Sequence, residues 1–331
     1  MDEIKASPAS ITAKYLNGSS LLELPSQFRK GSGSLSIVNA STHNLKNVSV
    51  VIPTGVLVAL TGVSGSGKSS LVEEVCEQNP NKVILVDQSA VGANQRGCIA
   101  TYTGTFDLIR KLFAQENSVS ASLFSYNSTG ACDECKGLGH MDIDMNFLGD
   151  IKIKCPKCDG KRYMSEVLKY LYNGKSIDQV LESTVEEALT FFSQKEIKDK
   201  LGMLAEVGLD YIELGQSLDT LSGGESQRLK LASRLQSKGE FYILDEPTSG
   251  LHFADIEKLL NLLNRLVDNG NTVLVVEHNL KVISSSDWVI DLGLEGGDKG
   301  GELIAQGTPN DILGCERSYT AKYLKGAIKG E

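Results

Sequence analysis

The sequence has no uninterrupted apolar run of the ~18 or more residues that a membrane-crossing helix needs. Its longest apolar stretch, Val48 to Leu60, is broken by Pro53 and Gly55, so no membrane span is expected. The opening Met-Asp-Glu-Ile-Lys lacks the basic segment followed by an apolar one that marks a secretory leader, and a cytoplasmic location is expected. Positive charge is not in excess: 33 Lys and Arg stand against 42 Asp and Glu, a net charge of −9. Any grip on DNA must therefore come from a local basic patch and not from the charge of the whole surface. A disulfide framework is also missing. Seven cysteines are an odd number, and four of them form two Cys-x-x-Cys pairs, a spacing that in a cytosolic chain favours a metal.

What is present is an ordinary globular composition, 41% hydrophobic and 23% charged over 331 residues, enough for one large domain or two smaller ones. Lys30-Gly31-Ser32-Gly33-Ser34 reads as a flexible linker by composition. After it, Leu35 to Val38 and Val48 to Ile52 read as strands, and Val56 to Thr61 as a buried strand feeding a Gly-rich loop. A helix over Ser69 to Gln78 and a strand over Lys82 to Val86 follow. Residues 128 to 163 hold the cysteine pairs, and 164 to 215 are mostly helical after a hairpin at Asn173-Gly174. From 222 the order is helix, strand 240 to 244, helix 253 to 268 and strand 272 to 276. This alternation predicts an α/β fold with a mainly parallel sheet covered on both faces. One segment repeats: Ser10-Ile11-Thr12-Ala13-Lys14-Tyr15-Leu16-Asn17-Gly18 returns as Ser318-Tyr319-Thr320-Ala321-Lys322-Tyr323-Leu324-Lys325-Gly326. The expectation is that the chain opens with the tail of a preceding copy of the same unit.

Gly62-Val63-Ser64-Gly65-Ser66-Gly67-Lys68-Ser69 fits G-x-x-x-x-G-K-[ST] between a predicted strand and a predicted helix. Glycines let backbone N–H groups turn toward phosphate oxygens, Lys68 reaches the β- and γ-phosphates, and the Ser69 hydroxyl takes a Mg²⁺ position. Asp245 ends the apolar strand Phe241-Tyr242-Ile243-Leu244, where a carboxylate can hold Mg²⁺. Glu246 follows, placed to orient or deprotonate an attacking water. His278 closes the next strand, where it can sense a γ-phosphate, and Gln88 closes the strand before, in reach of Mg²⁺ and water. Ser222-Gly223-Gly224-Glu225 precedes a helix, with Ser222 as its cap and backbone N–H groups free for an anion. Cys132, Cys135, Cys155 and Cys158, two pairs separated by 19 residues, fit a tetrahedral Zn²⁺ site. Cys76, Cys98 and Cys315 stand apart as packing residues.

Leu221-Ser222-Gly223-Gly224-Glu225-Ser226-Gln227-Arg228 resembles the signature of ATP-binding-cassette (ABC) proteins, and Leu244-Asp245-Glu246-Pro247-Thr248 resembles their Walker B strand. With a four-cysteine insertion between Gln88 and the signature, the chain resembles the UvrA family, the DNA-damage-recognising ATPases of bacterial nucleotide excision repair. The matching text includes His43 to Val48, Val86 to Ser89, Ala100 to Gly104, Gly160 to Tyr163, Gly250 to Phe253 and Asp291 to Gly293. The resemblance implies an ABC-type P-loop ATPase domain with a helical signature subdomain carrying the zinc module. It places ATP or ADP against Gly62, Ser64, Gly65, Gly67, Lys68, Ser69 and Ser70, with Mg²⁺ on Ser69, Gln88 and Asp245. Glu246 is then the base, His278 the switch, and Ser222, Gly223 and Gly224 complete the site of a second cassette. The expected organisation is 1–34 as a segment like the tail of a preceding cassette, 35–115 as the first part of the ATP-binding core, 116–220 as the signature subdomain with its zinc module at 128–163, and 221–331 as the second part of the core.

The expected partners are a second cassette, in a homodimer or a paired half, and DNA, gripped near Lys152, Lys154, Lys157, Lys161 and Arg162. The stretches between Ser70 and Lys82 and between Leu112 and Cys132 are shorter than the family leads one to expect, and only Arg96, Arg110 and Lys111 are basic between 88 and 131. The family's insertion for a repair partner belongs to a first cassette, so that partner is not expected here. Two alternatives stay open: a half-size UvrA-like ATPase giving resistance to DNA-binding antibiotics, and an ABC ATPase acting on a protein without DNA.

Overall fold

The computed structural model describes residues 22–80, 82–92, 96–143, 151–235 and 238–329, together with Ala6 and Ala13. The chain forms two compact units, residues 1–88 with 234–331, and residues 89–233.

In the first unit the strands are β1 (Gly33–Ala40), β2 (Val48–Thr54) and β3 (Leu57–Gly62), followed by helix α1 (Lys68–Gln78) and strand β4 (Val83–Val86). β1 and β2 pair antiparallel as a sheet of their own. Every residue of β3 is buried, as an apolar run covered on both faces should be.

The second unit begins with helices α2 (Ile99–Tyr102) and α3 (Thr105–Asn117) and the antiparallel pair β5 (His140–Ile143) and β6 (Ile151–Lys154). Helices α4 (Ile177–Leu181), α5 (Val185–Phe191), α6 (Lys195–Glu206) and α7 (Gly223–Ala232) follow. Aromatic rings fill this unit: Phe106 stacks on Tyr126 at 5.0 Å between centroids, and Phe113 lies 5.2 Å from Phe124. Helix α3 packs on α6, and α6 on α7. These contacts draw residues 89–115 and 221–233 into this unit, whereas the sequence places the boundaries at 115/116 and 220/221.

The chain returns to the first unit with β7 (Phe241–Asp245), α8 (Phe253–Asp268), β8 (Thr272–Val276), α9 (Leu280–Ser285), β9 (Trp288–Gly293), β10 (Glu302–Gly307), α10 (Pro309–Leu313) and α11 (Tyr319–Lys329). The main sheet runs β10-β9-β3-β8-β7-β4, parallel except for β10. Helix α8 turns Ile256, Leu259, Leu263 and Leu266 inward at helical spacing, all buried. A core of Ile37, Val50, Ile52, Leu60, Leu71, Ile243, Leu274 and Ile290 joins β1 and β2 to α1 and the main sheet.

Residues 30 to 34 correct the expectation of a flexible linker. Gly33 and Ser34 are strand residues paired with Thr54 and Pro53, and Ser32 N donates to Thr54 O at 2.8 Å. Just upstream, Arg29 bonds Asp287 through its backbone N at 2.8 Å and its guanidinium at 3.1 Å, and also reaches Asp268 at 2.9 Å. The first copy of the repeat, Ser10 to Gly18, lies outside the described residues except for Ala13. Ala13 is buried and helical, as is its counterpart Ala321 in α11.

Candidate functional site

The register of the main sheet decides which residues meet. Val276 of β8 lies between Leu60 of β3 and Asp245 of β7. Residues just beyond these three positions therefore leave the sheet at one edge, the carboxyl ends of parallel strands, where ligands of such sheets bind. Gly62, Glu246 and Glu277-His278 are those residues. Backbone bonds fix the exits: Glu277 N donates to Leu60 O at 3.0 Å, and Glu246 N to Val276 O at 2.9 Å.

The loop from Gly62 to Gly67 is held from outside. Asn44 Nδ2 donates to Gly65 O at 2.9 Å and to Gly297 O at 3.0 Å. Gly297 N and Gly301 N donate to Gly65 O and Ser66 O, each at 3.0 Å. Gly62 must be glycine for two reasons: its φ is +140°, and a Cβ there would stand 2.0 Å from Leu292 O. Lys68, nearly buried, donates from Nζ to Gly62 O at 3.0 Å and Val63 O at 2.9 Å. Burial lowers its pKa, against the pull of the Glu246, Asp245 and Asp291 carboxylates. Asp291 is buried and accepts from Ser318 Oγ at 2.5 Å and Thr320 Oγ1 at 3.1 Å. Ser64, Gly65 and Ser69 are exposed and Ser70 is half-buried.

Around Asp245 negative charge accumulates. Burial, then Glu246 and Asp87, raise its pKa, while Lys68 and His278 act the other way. A carboxyl in that condition gains from a divalent cation, so the residues fit Mg²⁺. Glu246 has φ +44°, the left-handed region that a non-glycine residue seldom occupies and that is found at functional sites. His278 Nε2 lies 3.5 Å from Glu246 Oε1, and Gln88 Nε2 is 3.5 Å from Asp245 O and 3.4 Å from Glu246 O. The buried Glu277 was not singled out by its sequence. It accepts from Thr248 N at 2.9 Å, His278 N at 3.0 Å and Asn279 N at 3.1 Å, tying the segment after Glu246 to the one carrying His278.

In the second unit Ser222 caps α7 in a capping box. Glu225 N donates to Ser222 Oγ at 3.3 Å, and Glu225 Oε2 accepts from Ser222 N at 2.7 Å. The first helical N–H groups, on Gly223 and Gly224, have no acceptor four residues back and are available to an anion.

The same unit brings Cys132, Cys135, Cys155 and Cys158 together, all buried, with sulfurs within 4.8 Å of one another. Sulfurs tetrahedrally bonded to zinc at about 2.3 Å stand about 3.8 Å apart. Cys132 and Cys155 are at 4.0 Å and Cys135 and Cys158 at 3.7 Å, far from a disulfide. The two pairs are built alike. Lys136-Gly137 and Asp159-Gly160 all have positive φ, and a Cβ on Gly137 would fall 1.8 Å from Tyr126 O. Against the effect of burial, N–H groups of Cys158 and Lys157 bring the Cys155 thiol down to about 7, while burial pushes Cys158 up to about 12. Four crowded thiols cannot all ionise without a cation, and the donor set fits Zn²⁺.

The basic residues beside this cluster are less free than their sequence spacing indicates. Lys157 pairs with Asp133 at 2.8 Å, Lys152 with Asp219 at 3.2 Å and Lys161 with the buried Asp178 at 3.2 Å. Arg162 lies over the Tyr126 ring, 5.2 Å from its centroid. Lys154 is exposed. Among the described residues no helix is long and apolar enough to cross a membrane.

The family model described as "ABC transporter" matches residues 45–249. The UvrABC system protein A of Clostridium perfringens is 47% identical over 359 residues, covering 98% of this chain and 38% of that protein. The Bacillus subtilis protein of the same name is 46% identical, covering 99% and 38%. The crystal structure of UvrA2 from Deinococcus radiodurans superposes with a TM-score of 0.91 at 41% identity, covering 99% of this chain and 43% of that one. The chain thus spans about two fifths of the length of the curated relatives it matches. The alignment of 359 positions exceeds the 331 residues here, so the Clostridium protein carries residues that this chain lacks.

Proposed function

Since the chain belongs to the UvrA family of ABC-type ATPases, we propose that it hydrolyses ATP at a site completed by a second cassette, and that closing of the pair is coupled to a grip on damaged or drug-modified DNA in excision repair. One observation carries this reading: Lys68, which opens α1 after β3, and Asp245, Glu246 and His278 at the ends of neighbouring strands gather at one edge of the sheet, in electrostatic contact through Asp245 and Glu246.

In the proposed mechanism the amides from Ser64 to Ser70 and the Lys68 ammonium bind the phosphates, Lys68 exchanging the carbonyls of Gly62 and Val63 for β- and γ-oxygens. Ser69, Asp245 and Gln88 would hold Mg²⁺, which would supply neutralisation of charge on the transferred phosphoryl group. Glu246 orients the attacking water and takes its proton as the bond to the ADP oxygen breaks. His278, beside Glu246, contacts the γ-phosphate. Ser222, Gly223 and Gly224 of the other copy donate to the same phosphate. The four cysteines would hold a structural Zn²⁺ that ties the two Cys-x-x-Cys turns together. Lys152, Lys154, Lys157, Lys161 and Arg162 are the proposed phosphate contacts for DNA, and the site of action is the cytoplasm.

A second reading, an ABC ATPase acting on a protein without DNA, is favoured by the acid partners of Lys152, Lys157 and Lys161. One experiment separates the two. Glu246→Gln is assayed for turnover and ATP binding, and intact and drug-modified duplex are titrated against it at several salt concentrations. The expected result is lost turnover, retained ATP, and DNA binding that strengthens with ATP and weakens with salt. Normal hydrolysis refutes the role of Glu246. No DNA binding at low salt with ATP present refutes the DNA reading.

A further inference from the structure

Tyr211 carries a half-exposed ring whose hydroxyl is nonetheless committed. It donates to Glu225 Oε1 at 2.6 Å, and Arg228 Nη2 stands 3.5 Å from the same hydroxyl. The other carboxylate oxygen, Glu225 Oε2, accepts from both Ser222 N at 2.7 Å and Ser222 Oγ at 2.8 Å. One carboxylate thus joins Tyr211 on one side to the cap of helix α7 on the other.

We propose that Tyr211 is a positioning residue for Ser222, acting through Glu225. This rests on the reading that Ser222 serves a nucleotide bound by a second copy. Two physical consequences follow. The bond from Tyr211 fixes the plane of the Glu225 carboxylate, and with it the place of Ser222 Oγ, whose one hydrogen turns from Glu225 Oε2 to reach a phosphate. It also withdraws charge from a carboxylate that sits at the helix N-terminus, where an anionic phosphate must approach. Burial by itself raises the Glu225 pKa, but bonds from Tyr211 and Ser222, with Arg228 nearby, bring it below the usual range. The Tyr211 hydroxyl is pushed up to about 12 by burial and by Glu225, so it remains a donor at every working pH. Phenylalanine at this position keeps the ring and loses only that donor.

The test compares Tyr211→Phe, Glu225→Gln, the double variant and Ser222→Ala in full-length chain, reading kcat, KM for ATP, melting temperature and the dependence of specific activity on protein concentration. Tyr211→Phe is expected to lower kcat about tenfold, the scale of one bond to a charged acceptor. KM and melting temperature should hold. The double variant should be no slower than Glu225→Gln alone, because both substitutions break one linkage. Wild-type kcat for Tyr211→Phe, or additive losses in the double variant, overturns the inference, provided Ser222→Ala is itself inactive. If Ser222→Ala turns over normally and specific activity ignores protein concentration, the composite-site reading fails instead.

Discussion

Glu277 should be the residue whose conservative replacement harms both stability and turnover. It is 2% exposed, and its two carboxylate oxygens accept three backbone N–H groups, from Thr248, His278 and Asn279. Glutamine keeps the shape but has one acceptor oxygen and an NH₂. If the oxygen stays with His278 and Asn279, the NH₂ confronts the Thr248 N–H; if it turns, two donors are left instead of one. A bond to a charged acceptor is worth about 1.5–3 kcal/mol, and a donor stranded away from water costs about as much. The donors are partly buried, so the lower part of that range applies and Glu277→Gln should cost about 2 kcal/mol. In a domain of this size that is a fall of about 4–8 °C in melting temperature. Urea unfolding with an unchanged m-value, together with steady-state ATPase rates, is the assay. Turnover should drop because Thr248 and His278 lose their common anchor, while ATP binding through Lys68 persists. A stability change under about 0.5 kcal/mol would refute the reasoning, since it would mean that the three bonds are not worth what their geometry implies. Lost stability with wild-type turnover would leave Glu277 a structural residue only.

Two further outcomes are expected. Burial and the Glu246 and Asp87 carboxylates raise the Asp245 pKa above its ordinary value, so ionising Asp245 costs folding energy at neutral pH. Asp245→Asn should therefore melt above wild type at pH 7 without nucleotide and gain nothing from Mg²⁺ with ATP. The gap should close as pH falls below the ordinary Asp range of about 3.9, where both forms are neutral; a variant that melts below wild type at pH 7 contradicts this. Cys155→Ser, or treatment with a strong chelator, should lower the zinc content and the melting temperature while leaving ATP affinity unchanged. Metal content unaffected by the substitution would show that the four sulfurs hold no zinc.

The strand ends and the loop that make up the candidate nucleotide site are legible in the sequence because their signals are local. A Gly-rich loop must follow a strand and open a helix, and an apolar run ending in two acids must be a buried strand reaching the surface. The amphipathic period over 253–268 and the apolar run over 272–276 coincide with α8 and β8. The misreadings have the opposite character. Residues 30 to 34 have linker composition, yet they are fixed by Thr54 and by the anchor of Arg29 on Asp287, far along the chain. The loop Gly296 to Gly301 carries no sequence signal, yet it braces the loop 62–67 through Gly297 N, Gly301 N and Asn44. Between Lys152 and Arg162 the only acid is Asp159, whereas the partners of Lys152, Lys157 and Lys161 are Asp219, Asp133 and Asp178, all outside that segment. Tyr211 and Glu277 have no motif at all. Their roles exist only in hydrogen-bond geometry.

The bonds that hold the loop Gly62 to Gly67 bear on where the energy of the proposed nucleotide binding would go. Asn44, Gly297 and Gly301 hold its carbonyls, so the fold itself contributes to ordering this loop. The change required is at Lys68, which must give up Gly62 O and Val63 O. Its ammonium is partly desolvated there and drawn by Asp245, Glu246 and Asp291, so triphosphate offers it a stronger anion without a new burial cost. In the proposed reading, capture of ATP rests on residues of the first unit. The α7 cap is equally preformed, but by Glu225 and Tyr211 within the second unit. In the proposed pair, docking energy can be spent on the transition state, where the Gly223 and Gly224 amides, and the Ser222 hydroxyl once it turns from Glu225 Oε2, meet the charge that develops as the phosphoryl group leaves.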